Sequence, residues 1–226
     1  MTLFLCGFMG CGKTALGKAL AKRLELPLVD MDDLIVEREG MTIPEIFDQK
    51  GEPYFRKVES RLVDELAHTP QIVSCGGGVM TNPLNALIVR QSNGIIVYLQ
   101  QKFAVCYERI KDDPNRPIVQ SHTKEELQRM FDNRERWYQV NATYSVLAGE
   151  TPEESADRVL LFWNSNQNNW NVEIQCKQRK KKSKSMKSRN RFPAVGELRS
   201  SWLSSARRVV REGKLPSLTD VLIRLY

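Results

Sequence analysis

The sequence contains no run of about 18 apolar residues, the length that a membrane-spanning helix needs. It begins without the charged segment and long apolar stretch that are typical of a secretory signal. Its five cysteines form no C-x-x-C pair and it has only two histidines, so neither a disulfide framework nor a zinc site is indicated. We therefore expect reduced thiols, a cytoplasmic location and no contact with a membrane.

Charge is distributed unevenly along the chain. The net charge of +7 over 226 residues divides into −4 for residues 1–162 and +11 for residues 163–226. A chain of this length has room for one α/β domain and an appendage. We expect a folded domain over residues 1–164 and, over residues 165–226, a basic extension that is disordered or weakly helical. Polybasic segments bind polyanions weakly, so only nonspecific contact with nucleic acid is expected there.

Residues Gly7–Thr14 read GFMGCGKT, a complete G-x-x-x-x-G-K-T phosphate loop between an apolar strand and a helix-favouring segment. In such a loop successive backbone N–H groups surround phosphate oxygens, while Lys13 reaches the β and γ phosphates and Thr14 offers its hydroxyl to Mg²⁺. We interpret the chain as a nucleotide-phosphate binder. Cys11 within the loop is either a small filler, the favoured interpretation, or an activated thiol near a helix N-terminus.

Short apolar runs alternate with longer amphipathic segments along the first 163 residues, which predicts a parallel sheet covered by helices on both faces. The predicted strands are 2–6, 27–29, 71–74, 94–99 and 144–148, and the predicted helices are 14–24, 33–40, 52–68, 82–91, 102–109, 124–141 and 152–163. Ligands bind beyond the carboxyl ends of parallel strands. We therefore expect Gly7, Asp30 and Gly76, each directly after a predicted strand, to border a ligand site.

Three carboxylates follow the second predicted strand in the segment Val29-Asp30-Met31-Asp32-Asp33. We expect Asp30 and Asp32, two residues apart at the strand end, to point in a common direction. Acidic residues beside a phosphate loop suit Mg²⁺ ligation and the handling of an acceptor hydroxyl proton. The alternative is a helix N-terminus, which favours acidic residues, and Asp33 fits this alternative best.

Six motifs in a single order resemble the shikimate kinase family: the phosphate loop, V-D-x-D, GEPYFRKVE, SCGGG, NRP and R-E-R-W-Y. The resemblance covers residues 1–161. It implies a three-layer αβα phosphate-loop kinase with a five-stranded parallel sheet and a mobile lid. It also implies ATP- and Mg²⁺-dependent phosphorylation of the 3-hydroxyl of shikimate, in the route to aromatic amino acids. Chains of this family usually end soon after the last predicted helix, so the basic extension departs from the pattern.

The resemblance implies roles for individual residues, and general chemistry agrees, since a guanidinium offers the planar fork that a carboxylate accepts and glycine lets backbone approach a ligand. The expected ATP-binding residues are Gly10, Cys11, Gly12, Lys13, Thr14, Ala15, Arg109 and Arg116, and the expected Mg²⁺ ligands are Thr14 and Asp30. The expected shikimate-binding residues are Asp32, Arg56, Gly76, Gly77, Gly78 and Arg134. The expected catalytic residues are Lys13, Asp32 and Arg116.

Several of these roles have alternatives. Arg116 lies in a polar segment that matches the family's lid, where an arginine that arrives on closure can neutralise charge on the transferred phosphoryl group. Arg109 matches the residue that stacks on adenine, although an arginine at a helix end can also satisfy the last carbonyls. Arg136 competes with Arg134 as the second carboxylate contact. Asp32 either takes the hydroxyl proton or only orients the hydroxyl.

Two other functions are compatible with parts of the sequence. The phosphate loop also occurs in gluconate and nucleoside monophosphate kinases, but the two carboxylate-facing arginines and the triple glycine argue against them. An NTP-binding protein associated with nucleic acid would explain the basic extension, but the sequence lacks an aromatic-interleaved platform for a nucleic acid. We expect a monomer that acts on a small-molecule substrate.

Overall fold

The computed structural model describes residues 1–113 and 116–163, without the side chain of Pro117. Residues Met1–Phe162 form one compact unit. Asn115 of the NRP motif and the basic extension predicted over residues 165–226 lie outside the described residues. Within the described part of the chain, no helix has both the length and the apolar character needed to cross a membrane.

Five parallel strands form the central sheet in the order β2-β3-β1-β4-β5. The strands are β1 (Leu3–Cys6), β2 (Leu28–Asp30), β3 (Ile72–Ser74), β4 (Ile95–Gln100) and β5 (Tyr144–Leu147). All four side chains of the central strand β1 are buried, as expected for a strand covered on both faces. The parallel sheet predicted from the alternating apolar runs is confirmed.

Helices connect the strands and cover the sheet. They are α1 (Lys13–Leu24), α2 (Met31–Glu39), α3 (Ile43–Leu66), α4 (Pro83–Gln91), α5 (Phe103–Ile110), α6 (Pro117–Gln120), α7 (Lys124–Asn141) and α8 (residues 152–163), with a 3₁₀ turn at Val79–Thr81. The predicted bounds of α7 and α8 are those observed. α7 begins at a capping box in which the Thr123 hydroxyl accepts from the backbone N–H of Glu126 and the Glu126 carboxylate accepts from that of Thr123.

Helix α3 begins nine residues earlier than the helix predicted from Glu52. Thr42 and Glu45 form a capping box that starts the helix at Ile43. Gly51 then interrupts it with φ of 79° and ψ of 165°, so that α3 consists of two helical halves joined at a kink. The helix was predicted to begin at the Gly-Glu-Pro sequence, because proline is common at the first position of a helix. The half before Gly51 was therefore missed.

The expectation that Asp30 and Asp32 leave a strand in a common direction is wrong. Asp30 is the last residue of β2 and the N-cap of α2, and its Oδ1 accepts a hydrogen bond from the backbone N–H of Asp32 at 3.1 Å. Asp32 and Asp33 occupy the first turn of α2, which begins at Met31. A carboxylate at the N-cap satisfies a free N–H of the first turn, so the helix starts two residues earlier than predicted. The backbone therefore turns between the two carboxylates.

Three aromatic rings hold the phosphate loop against the helices behind it. Phe8, within the loop, packs on Phe131 of α7 with ring centroids 5.1 Å apart and on Phe103 of α5 at 6.2 Å. All three side chains are buried. Aromatic pairs in tilted or edge-to-face geometry contribute about 0.5–1.5 kcal/mol beyond the burial of their area. Phe8 therefore fixes the phosphate loop to helices α5 and α7.

Candidate active site

The phosphate loop joins β1 to α1, and its backbone has conformations that only glycine adopts without strain. Gly7, Gly10 and Gly12 have φ of 146°, 78° and 105°. A Cβ at Gly10 would lie 2.6 Å from the backbone oxygen of Cys106, so a side chain there has no room. Gly12 caps α1 without a side-chain hydrogen bond. The first N–H groups of α1 are therefore available to an anion, as a phosphate site requires.

The side chain of Lys13 lies buried inside this loop. Its Nζ donates to the backbone oxygens of Gly7 and Phe8, both at 3.1 Å, and lies 3.8 Å from Sγ of Cys11. These contacts hold the ammonium group where phosphate oxygens would meet it. Cys11 is only 2% exposed, and its close packing in the loop supports a role as a small filler.

Three oxygen-bearing side chains meet beside the loop. The hydroxyl of Thr14 donates to Oδ2 of Asp30 at 2.8 Å, and its oxygen lies 3.2 Å from that of Ser74. Ser74 was not predicted as a site residue. It reaches the site because β2 pairs with β3 in a register that places Asp30 opposite Ser74. Ser74 is the last residue of a predicted strand, just before the triple glycine, and this position could have indicated a site residue. The pairing of β2 with β3 could not be predicted from the sequence.

This set of two hydroxyls and one carboxylate fits Mg²⁺, a hard cation that takes oxygen ligands and keeps part of its shell for water and phosphate oxygens. No group of three or more His, Cys, Asp or Glu side chains that could hold a metal ion occurs among the described residues. A cation at Thr14 and Asp30 would therefore depend on further oxygens from a nucleotide.

Asp32 lies next to these residues, half-buried in the first turn of α2. Burial raises the pKa of its carboxyl group and the nearby Asp30 raises it further, whereas Lys13 and Arg116 act in the opposite direction. A Cβ at Gly76 would lie 2.7 Å from Oδ1 of Asp32, so glycine is needed for this close approach. The pKa of Asp32 is therefore above its ordinary value although two cations lie nearby.

A cavity of about 400 Å³ opens between α2, α3, α7 and the glycines after β3. Its charged lining residues are Asp32, Asp33, Arg56, Glu59, Asp113, Arg116 and Arg134. Its apolar lining includes Val36, Ile43, Pro44, Phe47, Phe55 and Ile118. The structure brings together all six residues predicted to bind shikimate. Arg134 lines the cavity, whereas the competing Arg136 is exposed and does not.

The triple glycine is packed against the two arginines of the cavity. A Cβ at Gly78 would collide with Nη1 of Arg56, and one at Gly77 would lie 3.4 Å from Nη1 of Arg134. The hydroxyl of Tyr138 donates to the backbone oxygen of Gly77, which fixes this segment to α7. The glycines therefore let both guanidinium groups lie close to the backbone, at the wall of the cavity.

Glu59 is the most buried ionisable group of this cavity and was not predicted as a site residue. Only 2% of it is exposed, and its Oε2 accepts from Nη1 of Arg56 at 2.7 Å. Burial raises its pKa to about 7, against the lowering effect of Arg56, and the nearby Asp32 raises it further. Glu59 is the last residue of the motif GEPYFRKVE. Because residues three apart on a helix are neighbours, its spacing from Arg56 could have indicated the ion pair.

Glu59 should make the stability of the protein depend on pH. Because its folded-state pKa of about 7 lies above the ordinary value of 4.5, its contribution to stability is fully present below pH 4.5 and is lost as the pH rises to about 7. The loss is on the order of 2–3 kcal/mol. Glu59→Gln should remove this dependence. Its thermal midpoint, measured from pH 4.5 to 7.5, should therefore rise relative to that of the wild type as the pH increases.

A Glu37→Gln control should show no such rise relative to the wild type. If the thermal midpoints of Glu59→Gln and the wild type change in parallel with pH, the prediction is wrong.

A second cavity, of about 580 Å³, surrounds the phosphate loop. It includes all the predicted nucleotide-binding residues and a segment after β5 that the sequence did not indicate: Ala148, Gly149, Glu150, Thr151, Pro152 and Ser155. Hydrogen bonds order this segment, since the backbone N–H of Gly149 donates to Oγ of Ser155 at 2.9 Å. As a loop at the carboxyl end of a parallel strand, it lies where ligands bind in such sheets.

Two arginines connect the loop and the cavities. Nη1 of Arg109, an exposed residue near the end of α5, donates to the backbone oxygen of Gly10 at 3.0 Å. It thus contacts the phosphate loop itself. Nε of Arg116 donates to Oδ2 of Asp113 at 2.9 Å. Arg116, Asp32 and Asp33 line both cavities, so a cation and two carboxylates lie where the two spaces meet.

Comparison with known proteins identifies the relatives of this chain. The sequence profile of the shikimate kinase family matches residues 9–164. The shikimate kinase of Streptococcus gordonii is 39% identical over 161 residues, which are 70% of this chain and 97% of that protein. That of Aquifex aeolicus is 36% identical over 167 residues, 74% of this chain and 98% of that protein.

Solved structures agree with the sequence comparison. The shikimate kinase from Acinetobacter baumannii in complex with shikimate matches with a TM-score of 0.70 and 31% identity, over 74% of this chain and 94% of that one. A gluconokinase from Sinorhizobium meliloti has the same fold, with a TM-score of 0.51 and 17% identity over 76% of this chain and 96% of that one.

Proposed function

We propose that this chain, which belongs to the shikimate kinase family, transfers the γ phosphoryl group of ATP to the 3-hydroxyl of shikimate. One observation carries the proposal. A phosphate-loop cavity and a cavity lined by Arg56 and Arg134 share Asp32 and Arg116 in their walls. A phosphoryl donor and a carboxylate-bearing acceptor bound in these two spaces would have their reacting groups at the junction.

ATP binds in the cavity of the phosphate loop. The backbone N–H groups at the start of α1 and the ammonium group of Lys13 hold the phosphates, and the segment after β5 together with Arg109 borders the nucleotide. Thr14 and Asp30 would hold Mg²⁺, with the hydroxyl of Ser74 within reach of the same position. The ion would supply positive charge that offsets the charge of the phosphates.

Shikimate binds in the other cavity. Arg56 and Arg134 hold its carboxylate, and the backbone of Gly76, Gly77 and Gly78 lies against its ring. A ring bound in this way would lie between the arginines and Asp32, and a hydroxyl on its opposite side could approach the Asp32 carboxylate.

In the reaction, Asp32 orients the 3-hydroxyl for in-line attack on the γ phosphorus. The hydroxyl oxygen forms the new bond to phosphorus, the bond to the oxygen that bridges the β and γ phosphates breaks, and ADP leaves. The hydroxyl proton passes to Asp32, whose raised pKa suits it as an acceptor. Lys13 and Arg116 neutralise the charge that develops on the phosphoryl oxygens.

The activity is tested by coupled measurement of ADP release with shikimate, gluconate and AMP offered separately. Shikimate should be the preferred acceptor by a wide margin. Faster turnover of gluconate or AMP would reject the proposal in favour of another small-metabolite kinase with the same fold.

The two carboxylate-binding arginines should affect one substrate only. Arg56→Ala and Arg134→Ala should raise KM for shikimate by about 10- to 100-fold, the range expected when a charged hydrogen-bonding partner is lost, and should leave KM for ATP nearly unchanged. Steady-state titration of each substrate checks this. Arg136→Ala is the matched control on α7 and should behave like the wild type, whereas a change in KM for ATP in Arg56→Ala would show that its assignment is wrong.

We further propose that the enzyme is a cytoplasmic monomer. Free, buried thiols at all four cysteines within the described residues support a reducing compartment. Size-exclusion chromatography with light scattering would test the monomeric state.

The basic extension should not be needed for turnover, because every chemical motif lies before residue 164. A chain truncated after residue 164 should keep its kcat and thermal midpoint while losing any salt-sensitive binding to DNA or RNA. Shikimate turnover, calorimetry and nucleic-acid binding of both forms provide the comparison. An inactive truncated chain, or one that melts many degrees lower, would place the domain boundary beyond residue 164.

A further inference from the structure

Carboxylates of the protein already pair with Arg56. Nε and Nη2 donate to a single oxygen, Oε1 of Glu52, at 3.0 and 2.8 Å. Nη1 donates to Oε2 of Glu59 at 2.7 Å. Three of the five N–H groups of Arg56 are therefore engaged within helix α3, and Glu52 takes both N–H groups of the edge formed by Nε and Nη2.

The two carboxylates differ in how freely they can leave. The Glu52 side chain is 57% exposed, whereas that of Glu59 is 2% exposed and is enclosed by the cavity wall. Glu52 also directly follows the kink at Gly51, at the start of the second half of α3. Rotation of Glu52 into solvent exposes little apolar surface, while Glu59 has no such path. Of the two carboxylates, Glu52 is the displaceable one.

A substrate carboxylate binds an arginine most strongly through two parallel hydrogen bonds to one edge of the guanidinium group. The edge formed by Nε and Nη2 is the one that Glu52 occupies. A second carboxylate cannot accept from the same two N–H groups at the same time, and it would also be repelled by the charge of Glu52. Substrate binding through this edge must therefore replace one carboxylate with another.

We propose that Glu52 is a displaceable internal carboxylate that competes with the substrate carboxylate for Arg56 and so sets the affinity of the acceptor site. This inference rests on the proposed function, because it requires that Arg56 bind shikimate. In the unliganded site Glu52 keeps the Arg56 side chain paired. On binding, shikimate takes the edge of the guanidinium group and Glu52 turns to solvent.

The test is the dissociation constant for shikimate, measured by titration calorimetry on the full chain. Glu52→Ala should lower this constant by about 1.4- to five-fold, the range set by an exposed ion pair of about 0.2–1 kcal/mol. The dissociation constant for ATP should not change. Glu52→Asp should give the same direction of change, because its shorter side chain keeps the charge but does not reach Nε and Nη2.

Two further proteins show whether the effect acts through Arg56. In an Arg56→Ala background, the Glu52→Ala substitution should have no effect on shikimate affinity, since the contested group is gone. Glu65→Ala is the matched control, because Glu65 is an exposed carboxylate on the same helix that pairs with Arg38 and not with Arg56. It should bind shikimate as the wild type does, and thermal midpoints of all variants check folding.

Each outcome decides between the proposals. If the wild type does not bind shikimate, the proposed function and this inference both fail. If the wild type binds shikimate but Glu52→Ala binds it more weakly or equally well, Glu52 positions Arg56 or is inert, and only the inference is overturned. The same holds if Glu52→Ala alters affinity in the Arg56→Ala background, or if Glu52→Asp fails to tighten binding.

Discussion

Replacing Arg116 by alanine should lower kcat for shikimate phosphorylation by about 10³- to 10⁵-fold, the loss seen when an arginine that contacts the transferred phosphoryl group is removed from a phosphotransferase. KM for shikimate should change by only a few-fold, because the carboxylate is held by other arginines. Arg116 lies where the two cavities meet. Its Nε donates to Oδ2 of Asp113, and its side chain lines both cavities.

Single-turnover measurements at saturating ATP would separate the chemical step from product release in this variant. Arg136→Ala, which removes an exposed arginine outside the cavity, is the matched control and should retain wild-type kcat. Loss of ATP binding in Arg116→Ala with an unchanged chemical rate would contradict the role in charge neutralisation and would make Arg116 a nucleotide-binding residue only.

Asp32→Asn should lower kcat by about 10²- to 10⁴-fold, because an amide keeps the shape of the side chain but cannot accept the hydroxyl proton. The pKa of Asp32 is raised, chiefly by burial, and the ionised form is the active one. Wild-type kcat should therefore fall as the pH drops through this raised pKa, at a higher pH than an ordinary aspartate would give.

A pH–rate profile of the wild type and the variant checks both parts of this expectation. The acidic limb should disappear from the residual activity of Asp32→Asn. Glu37→Gln, which changes an exposed carboxylate on the same helix that lines neither cavity, should have a much smaller effect on kcat. If Asp32→Asn retains most of its activity, Asp32 orients the hydroxyl without accepting its proton.

The sequence was sufficient wherever a local pattern determines the structure. The glycines of the phosphate loop need their unusual φ angles, and the short apolar strands can be buried only in a parallel sheet. It was insufficient where chain segments far apart in sequence meet. Ser74 lies at the site because of the register between β2 and β3. Glu59 lies there because its side chain is buried in the fold. The residues after β5 lie there because of the order of the strands in the sheet.

The difference between Arg134 and Arg136 illustrates the same limit. Both lie on α7 and have the same chemistry, so composition and motif left the choice open. The helix is fixed by Phe131 and Tyr138, which are buried, and this sets the face that turns inward. Arg134 then lines the cavity and Arg136 faces solvent. Placement depended on the packing of neighbouring residues rather than on the arginines themselves.

The pairing of Asp30 with Ser74 across β2 and β3 links the folding of the sheet to the chemistry of the enzyme. Side chains of a strand alternate between its two faces, so a slip of one residue between these three-residue strands would turn Ser74 away from Thr14. A misfolded chain of this kind would retain hydrophobic strands and an intact phosphate loop, yet would lack the hydroxyl of Ser74 at the proposed Mg²⁺ site. Catalytic activity therefore reports on correct assembly of the sheet edge more sharply than helix content or compactness does.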